Sequence, residues 1–283
     1  MKILTFDIEE WFHILDHSTT KTNSHWEKYE VRIHENVDRI LELLELTKQT
    51  ATFFVVGWIA EKYPEVINKI DKQGYQIGSH SHMHQLVYEQ TRLQFSEDLR
   101  KSINTIENIT GKKVKSFRAP GFSITEKNIW AFEELFLNGI THDSSVFPAV
   151  RAHGGFPSFK ETKPTLLKYN GVVIKEFPIN TVNIFGKRLI YSGGGYFRAL
   201  PYWLIRKWAS KSDYVMTYFH PRDFDPNQPM IKDLSASRKF KSYVGLKSCY
   251  SKLFNLSKET KFLDLETADR LYSWSNSQEV SLL

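Results

Sequence analysis

The sequence contains a single cysteine, Cys249, among its 283 residues. One thiol cannot form an internal disulfide, and it excludes a metal cluster built from several cysteines. Long apolar runs are also missing, since no stretch approaches the roughly 18 apolar residues of a membrane span. The N-terminus has none of the features of a signal peptide. We therefore expect a cytoplasmic protein that has no transmembrane segment and at most a peripheral contact with a membrane surface.

The chain also lacks a recognised nucleic-acid-binding motif, so nucleic acid is not an expected partner. The formal net charge is nevertheless +6, with an isoelectric point of about 9.1. The basic residues are dispersed, with short clusters at residues 112–115 and 238–241, and this pattern is typical of a solvated face. The charge leaves open a polyanionic partner, an anionic membrane surface or a phosphate-linked substrate.

Short apolar runs alternate with amphipathic stretches in the first half of the chain. The pattern predicts strands at residues 2–6, 51–56, 75–79, 116–118 and 140–143. Helical periodicity and capping signals lie between them, as at residues 36–46 and 93–109. Strands that alternate with helices indicate an α/β fold with a parallel sheet, either open or closed into a barrel.

The alternation breaks after about residue 150. Residues 151–163 are predicted to be a loop, followed by strands at 172–177, 188–191 and 214–220. Gly193-Gly194-Gly195 predicts a turn or a close backbone approach. Two helix-like segments, 243–256 and 265–272, lie near the end. We therefore predict one main domain over residues 1–228 and a C-terminal helical extension, residues 229–283, packed on it.

Polar residues follow several predicted strands at the point where each strand ends. These residues are Asp7 and Glu9, His80 and His84, Arg118, Asp143, and His220. In parallel α/β sheets and barrels, active sites form at the carboxyl ends of the strands. The sequence therefore predicts that these side chains meet in one site.

The histidine-rich segment 80–84 offers candidate metal ligands. His80 and His84 are four residues apart, so one helical turn would place both imidazoles on one face and leave His82 in a structural role. Two imidazoles and a carboxylate, with one open position, are typical of catalytic zinc sites. Asp7 and Glu9 face the same way on an extended chain, so one can be a base and the other a ligand. A helix cap or a solvated edge is the alternative role for these acids.

These residues together resemble the NodB-homology polysaccharide deacetylases, carbohydrate esterase family 4. The matching stretches, in the family's order over roughly residues 1–225, are Thr5-Phe6-Asp7-Ile8-Glu9, His80-Ser81-His82-Met83-His84, Phe117-Arg118-Ala119-Pro120-Gly121, His142-Asp143-Ser144-Ser145 and Tyr218-Phe219-His220. The stretch Gly193-Gly194-Gly195-Tyr196-Phe197-Arg198 is similar to a bacterial subgroup that carries a C-terminal extension. That subgroup occurs among exopolysaccharide and lipopolysaccharide genes.

The resemblance implies a deformed (β/α) barrel and a role for each matching residue. It implies that Asp7 is the catalytic base, that Arg118 orients it, and that His220 protonates the leaving amine. It also implies His80 and His84 as metal ligands. Ile8 stands where many relatives have a metal-binding Asp, so Glu9 is the third predicted ligand, at the place of the second acid in relatives with Asp-x-Asp. Glu10 remains an alternative.

Other residues are expected near the substrate. Gly121 stands where the family often has an aromatic residue whose backbone N–H binds the oxyanion, and that donor is retained. Trp11 and Phe122 are candidates for a sugar platform, with core packing as the alternative, and His13 is a candidate substrate contact.

The expected function is that of a metal-dependent hydrolase that acts on a linear, non-peptide amide bond. It would remove the acetyl group from an N-acetylated sugar, polymeric or linked to a lipid or a nucleotide, in the biosynthesis of a bacterial surface polysaccharide. Zinc suits the donor set, and Co²⁺, Ni²⁺ or Fe²⁺ are alternatives. The competing hypotheses are a hydrolase of ureides or cyclic imides, and an inactive carbohydrate-binding protein.

Overall fold

The computed structural model describes residues 1–15, 17–20, 22–151, 153–184, 186–231 and 234–282. The strands are β1 (Lys2–Ile3), β2 (Thr5–Ile8), β3 (Thr52–Val55), β4 (Gln76–Ser79), β5 (Ser116–Phe117), β6 (His142–Asp143), β7 (Thr165–Tyr169), β8 (Val172–Glu176), β9 (Val182–Ile184), β10 (Lys187–Leu189), β11 (Val215–Met216) and β12 (Gln278–Ser281).

The helices surround these strands. They are α1 (Asn23–Trp26), α2 (Ile33–Thr47), α3 (Gly57–Lys62), α4 (Pro64–Lys72), α5 (Arg92–Thr110), α6 (Trp130–Leu137), α7 (Gly194–Ala199), α8 (Tyr202–Lys211), α9 (Ala236–Tyr243), α10 (Leu246–Glu259) and α11 (Leu265–Leu271). Within the described ranges, no helix combines the length and the apolar character that crossing a bilayer requires.

The strands form a barrel with one irregular seam. The main sheet has the order β12-β7-β8-β6-β5-β4-β3-β2, and β1 pairs with β11 in parallel. Side chains join the segment after β8 to β11, because the Met216 backbone N–H donates to Asn180 Oδ1 and the Tyr214 hydroxyl donates to the Pro178 carbonyl. The predicted α/β fold, a deformed (β/α) barrel, is confirmed.

The register of the parallel strands brings their carboxyl ends to one edge. Asp7 of β2 lies beside Phe54 of β3, while Phe117 of β5 lies between Ser79 of β4 and Asp143 of β6. The polar residues that follow these strands therefore emerge on the same side of the barrel, as the sequence predicts.

Local sequence signals account for the long helix α5, which packs outside the barrel. The Thr91 hydroxyl accepts a hydrogen bond from the Gln94 N–H, and the Gln94 side chain accepts one from the Thr91 N–H. This reciprocal pair is a capping box. The helix ends at Gly111, whose φ of 68° lies in the left-handed region that glycine tolerates.

One hairpin was not predicted from the sequence. β7 runs antiparallel to β8, and the turn between them is Asn170-Gly171, with φ angles of 45° and 79°. Asn-Gly with two left-handed residues is the preferred two-residue hairpin turn. The signal was therefore present in the sequence, directly before the predicted strand.

The C-terminal segment is mostly helical but ends in a strand. β12 adds to the free edge of β7 in parallel. Leu263 bridges to Ile3, because its N–H donates to the Lys2 carbonyl and its carbonyl accepts from the Leu4 N–H. The segment is thus tied to both β1 and β7. The domain boundary at residue 228 stays a prediction.

Candidate metal centre and active site

The loop after β4 carries the predicted histidine ligands. Residues 80–84 do not form a helical turn, because Ser81 and His84 have φ angles of 65° and 51°. The Asp98 carboxylate of α5 accepts a hydrogen bond from the His82 N–H at 2.6 Å. A side chain from a neighbouring helix thus replaces the helical hydrogen bonds. The prediction of a helical turn was wrong, although the two histidines do converge.

The two imidazoles meet the carboxylate of Glu9. His84 Nε2 lies 2.6 Å from Glu9 Oε2, and one nitrogen or oxygen of each of the residues Glu9, His80 and His84 lies within 4.8 Å of the others. All three side chains are buried. This donor set and spacing fit a divalent cation held at about 2.0–2.2 Å from each ligand atom.

His80 is held in the tautomer that coordination requires. Its Nδ1 lies 2.6 Å from the carbonyl oxygen of Arg118, which can only accept, so Nδ1 carries the hydrogen and Nε2 is left with a free lone pair. Burial lowers the pKa of His80 to about 4. The imidazole is therefore neutral at pH 7, which is the form that binds a metal.

The neighbouring acid Glu10 turns away from the histidines. Its Oε1 accepts hydrogen bonds from the N–H groups of Arg32 and Ile33 at 2.7 and 2.8 Å. These donors stand at the start of α2, so Glu10 caps that helix. Burial raises the pKa of Glu10 to about 7. The structure places Glu9, and not Glu10, beside the two imidazoles.

Asp7 lies beside this triad without joining it, and Arg118 fixes it. Arg118 Nη1 donates to Asp7 Oδ1 and to Thr5 Oγ1, both at 2.7 Å. The Nε and Nη2 groups donate to the carbonyl and the hydroxyl of Ser144. Phe54 covers the guanidinium face at 4.4 Å. Arg118 thus contacts Asp7 through one nitrogen, because its Nε and Nη2 groups are bonded to Ser144.

Asp143 stabilises the segment that carries Arg118 through a chain of hydrogen bonds. It accepts the Ser145 hydroxyl, which in turn accepts the Ala119 N–H. Glu176 lies beside Asp143, and burial together with the Asp143 charge raises the pKa of Glu176 well above its usual value. A neutral Glu176 can share its proton with Asp143. Asp143 therefore holds the segment that positions Arg118, and it is not a member of the metal triad.

His220 lies close to both Asp7 and Glu9. Its Nδ1 donates to Asp223 Oδ2 at 3.0 Å, and its Nε2 lies 3.8 Å from Asp7 Oδ2 and 3.9 Å from Glu9 Oε1. Burial alone would lower the pKa of His220, but the charges of Glu9, Asp223 and Asp7 raise it to about 9. The imidazole thus carries a proton that it can give from Nε2.

Sequence reasoning missed the support behind His220. Arg198 Nε lies 3.0 Å from Asp223 Oδ1, so Asp223 bridges His220 and Arg198. The His-x-x-Asp spacing was an available signal. The glycine run before Arg198 is a close backbone approach, as predicted, because a Cβ on Gly193 would lie 2.0 Å from the Tyr218 carbonyl oxygen.

A cavity of about 190 Å³ opens at this edge of the barrel. It is lined by Asp7, Glu9, His13, Ile14, Leu15, His80, His84, Gly121, Phe122, Arg151, His153, Tyr218, His220, Arg222 and Arg238. Gly121 has a φ of 60°, a conformation that disfavours the aromatic residue found there in many relatives. Gly121 and Phe122 both line the cavity, although the Phe122 ring is 4% exposed and packs against Phe147 and Tyr218. Their contacts with a substrate stay a prediction.

The prediction that Trp11 contacts the substrate is corrected by the structure. Trp11 is 3% exposed, and its indole N–H donates to the Glu30 carbonyl at 2.9 Å. Its ring packs edge-on against Tyr29 and Phe12. The loop after β2 therefore turns this side chain into the core, which was the alternative role.

His13 does lie at the candidate site. Its ring stacks at 5.6 Å on His84 and contacts Trp26 at 4.3 Å on another side. Burial, followed by the neighbouring His84, holds the pKa of His13 well below its usual value. A neutral His13 thus buttresses the ligand His84 and borders the cavity.

Comparison with known proteins agrees with this architecture. Residues 4–139 match the family model of the polysaccharide deacetylases, and residues 144–270 match a domain of unknown function, DUF3473. The first half of the chain therefore carries a polysaccharide deacetylase domain of the NodB-homology type.

The relatives differ in how much of this chain they cover. A peptidoglycan-N-acetylglucosamine deacetylase of Bacillus cereus is 29% identical over 104 residues, which are 36% of this chain and 38% of that protein. A solved structure from Mycobacterium smegmatis, assigned to the polysaccharide deacetylases, has a TM-score of 0.63 at 16% identity, covering 98% of this chain and 93% of its own. A pseudoenzyme of carbohydrate esterase family 4 from Bacillus anthracis has a TM-score of 0.50 at 13% identity, covering 99% and 66%. At these identities the two structures establish the fold alone.

The separate roles of the two adjacent acids can be tested by metal binding. We expect Glu9→Gln to lower the affinity for Zn²⁺ by at least about tenfold, because it removes a charged ligand. Glu10→Gln should keep the affinity, since its carboxyl faces α2. Calorimetric titration of metal-free protein with Zn²⁺ measures both. Equal losses in the two variants would contradict the assignment.

The buried carboxyl pair predicts a pH dependence of stability. The pKa of Glu176 is raised on folding, so the unfolded chain releases this proton at a lower pH and stability falls as pH rises above the usual carboxyl range. Glu176→Gln keeps a neutral side chain and should reduce this fall, by up to about 1.4 kcal/mol per pH unit. Urea unfolding from pH 5 to 8 measures it, with Glu97→Gln on the exposed face of α5 as control. Identical slopes in all three proteins would show that Glu176 ionises normally.

Proposed function

We propose that this protein is a metal-dependent N-deacetylase that hydrolyses the acetamido group of an N-acetylated sugar. The observation that carries the proposal is the position of Asp7. It is a buried acid, held by Arg118, beside the triad of Glu9, His80 and His84 but outside it. An unligated base next to a cation site is what metal-assisted amide hydrolysis needs. The match of residues 4–139 to the polysaccharide deacetylase family supports the same reaction.

The metal would be held by Glu9, His80 and His84, with Zn²⁺ preferred and Co²⁺, Ni²⁺ or Fe²⁺ as alternatives. When bound, it supplies a Lewis acid that polarises the acetyl carbonyl and lowers the pKa of a coordinated water. The neutral His80 and the hydrogen bond at its Nδ1 prepare the chain for this role.

Asp7 takes the proton from the attacking water. Its Oδ1 is engaged by Arg118, so Oδ2, on the His220 side, is the oxygen that faces the cavity. The Arg118 guanidinium fixes this orientation and places a permanent positive charge beside the carboxylate. A base fixed in this way needs little reorganisation during the reaction.

His220 then gives a proton to the departing amine. Asp223 fixes the imidazole through Nδ1, so Nε2 is the nitrogen that faces the cavity. The backbone N–H of Gly121 is the proposed donor to the oxyanion, which is worth about 3–4 kcal/mol for a well-placed donor. Together these groups supply the base, the acid and the charge stabilisation for acetyl transfer to water.

The names of the relatives support a substrate class. The Bacillus cereus relative is named for N-acetylglucosamine in peptidoglycan. We propose an N-acetylated sugar of a bacterial surface polysaccharide, either in the polymer or in a lipid- or nucleotide-linked precursor. The stretch Gly193–Arg198, with its resemblance to the exopolysaccharide- and lipopolysaccharide-associated subgroup, supports that setting. Cytoplasmic localisation stays a prediction.

The central test combines acetate release with metal content. We expect Asp7→Asn to keep bound Zn²⁺ and to lose at least about 100-fold in kcat on N-acetylglucosamine oligomers, because the general base is gone. Acetate assays and metal analysis on the same preparation measure both. Loss of metal in this variant would mean that base and ligand are exchanged. Wild-type activity on ureides alone, or on no substrate at all, would overturn the proposal.

The acid role of His220 predicts a difference between substrates. His220→Ala should slow hydrolysis of the sugar amide at least about tenfold more than hydrolysis of an activated acetyl ester, whose leaving group needs no proton. The ratio of the two kcat values measures this. Equal losses on amide and ester would count against proton donation from Nε2.

A further inference from the structure

Among the residues that the structure describes, the candidate site contains more cationic side chains than its carboxylates contact. The carboxylates beside the triad already have partners, because Asp7 contacts Arg118, Glu9 contacts His84, and Asp223 contacts His220 and Arg198. Arg151 and Arg222 line the same cavity in addition, and Arg238 borders it. A bound divalent cation would increase this excess further. The cavity therefore favours a ligand that carries negative charge.

Arg222 is the most deeply buried of these three cations. It lies two residues after His220 and is 9% exposed. Its Nη2 is buried and has no hydrogen-bond partner among the residues that the structure describes. The nearby Tyr243 ring, 5.7 Å from the guanidinium carbon, covers it without accepting a conventional hydrogen bond. A buried donor on a charged group is costly unless a partner satisfies it.

Arg151 also lines the cavity and is held by aromatic rings. Its guanidinium carbon lies 4.4 Å from the centre of the Phe147 ring, 4.8 Å from Phe122 and 5.9 Å from Tyr218. These rings hold the guanidinium group but offer it no conventional hydrogen-bond acceptor. Within the described part of the chain, its buried Nη1 has no hydrogen-bond partner either.

Arg238 differs from these two. It donates to the Leu15 carbonyl at 2.7 Å, so part of its fork is engaged by the protein. Among the described residues, the cavity-lining guanidinium groups with a buried donor that lacks a hydrogen-bond partner are therefore those of Arg151 and Arg222, which come from two different segments.

We propose that Arg151 and Arg222 form a subsite for an anionic group carried by the N-acetylated sugar itself. The guanidinium fork matches the oxygens of a carboxylate or a phosphate, and both chemistries occur on sugars. The cavity of about 190 Å³ is also lined by Asp7 and His220, so the anion and the reacting amide would share one cavity. This inference rests on the proposed function and makes its substrate an acidic sugar derivative.

Both arginines lie in the second half of the chain. The segment 144–270 matches the domain of unknown function, whereas the metal triad and Asp7 lie in the segment 4–139. The second segment thus adds substrate selection to a deacetylation site built mainly from the first.

The source of the anion can be distinguished with three glycan probes. These are neutral chitotetraose, a tetrasaccharide that alternates N-acetylglucosamine with N-acetylmuramic acid, and UDP-N-acetylglucosamine. The second carries carboxylates on the sugar, and the third carries phosphates at the anomeric carbon. We expect the zinc-loaded wild-type protein to have at least a tenfold higher kcat/KM for one of the two acidic probes than for chitotetraose.

Substitution of the arginines tests the assigned residues. Arg222→Gln and Arg151→Gln should each lower the ratio of kcat/KM for the acidic over the neutral probe by about 10- to 100-fold, mainly through KM, because a charge-assisted hydrogen bond is lost. Arg206→Gln is the matched control. It removes the same charge from an exposed side chain that pairs with Glu259, and it should leave the ratio unchanged.

Binding provides a readout that does not depend on turnover. Calorimetry should show that the preferred acidic probe binds wild-type protein at least tenfold more tightly than it binds either arginine variant. If Arg222→Gln fails to fold, the subsite is tested by two other results. These are the ratio of kcat/KM for the acidic over the neutral probe in Arg151→Gln, and the order of kcat/KM for the three probes in the wild-type protein. Turnover of all three probes at equal efficiency would overturn the subsite and leave the proposed function intact. Binding of an acidic probe through the arginines with no acetate release would support the subsite and overturn the proposed function.

Discussion

The buried contact between Arg118 and Asp7 is the constraint on which the candidate site depends. Arg118 is fully buried at the end of β5, and its donors are divided among Asp7, Thr5 and Ser144. A charge inside a barrel is tolerated only when it is paired and hydrogen-bonded, so these partners are fixed together. The position of the proposed base is therefore set by the core of the barrel. Asp143 extends the same network to the next strand.

The environment, and not the residue type, separates the acids of the site. Glu9 and Glu10 are adjacent, yet one faces two imidazoles and the other caps α2 through two backbone N–H groups. Asp7 is paired with a guanidinium and stays outside the triad. Three carboxylates within four residues thus have three different environments, since their partners are a guanidinium, imidazoles and backbone N–H groups.

The sequence predicts the parts of this arrangement that follow from strand ends. The alternation of strands and helices predicts the barrel, and with it the convergence of Asp7, Arg118 and His220 at one edge. It does not predict the loop 80–84, whose shape depends on the Asp98 carboxylate of α5. Contacts that join distant segments, such as a helix cap from Glu10, are decided by tertiary packing. The position of the Trp11 side chain likewise depends on the turn after β2, which directs it into the core.

The central claim is that Glu9, His80 and His84 hold a metal while Asp7 stays unligated beside it. The most direct measurement is anomalous diffraction at the zinc edge from crystals of the metal-loaded protein. We predict one strong peak about 2.0–2.2 Å from a Glu9 oxygen and from the Nε2 atoms of both histidines, with Asp7 still in contact with Arg118. A peak coordinated by Asp7 or Glu10, or no peak between the two histidines, would contradict the account.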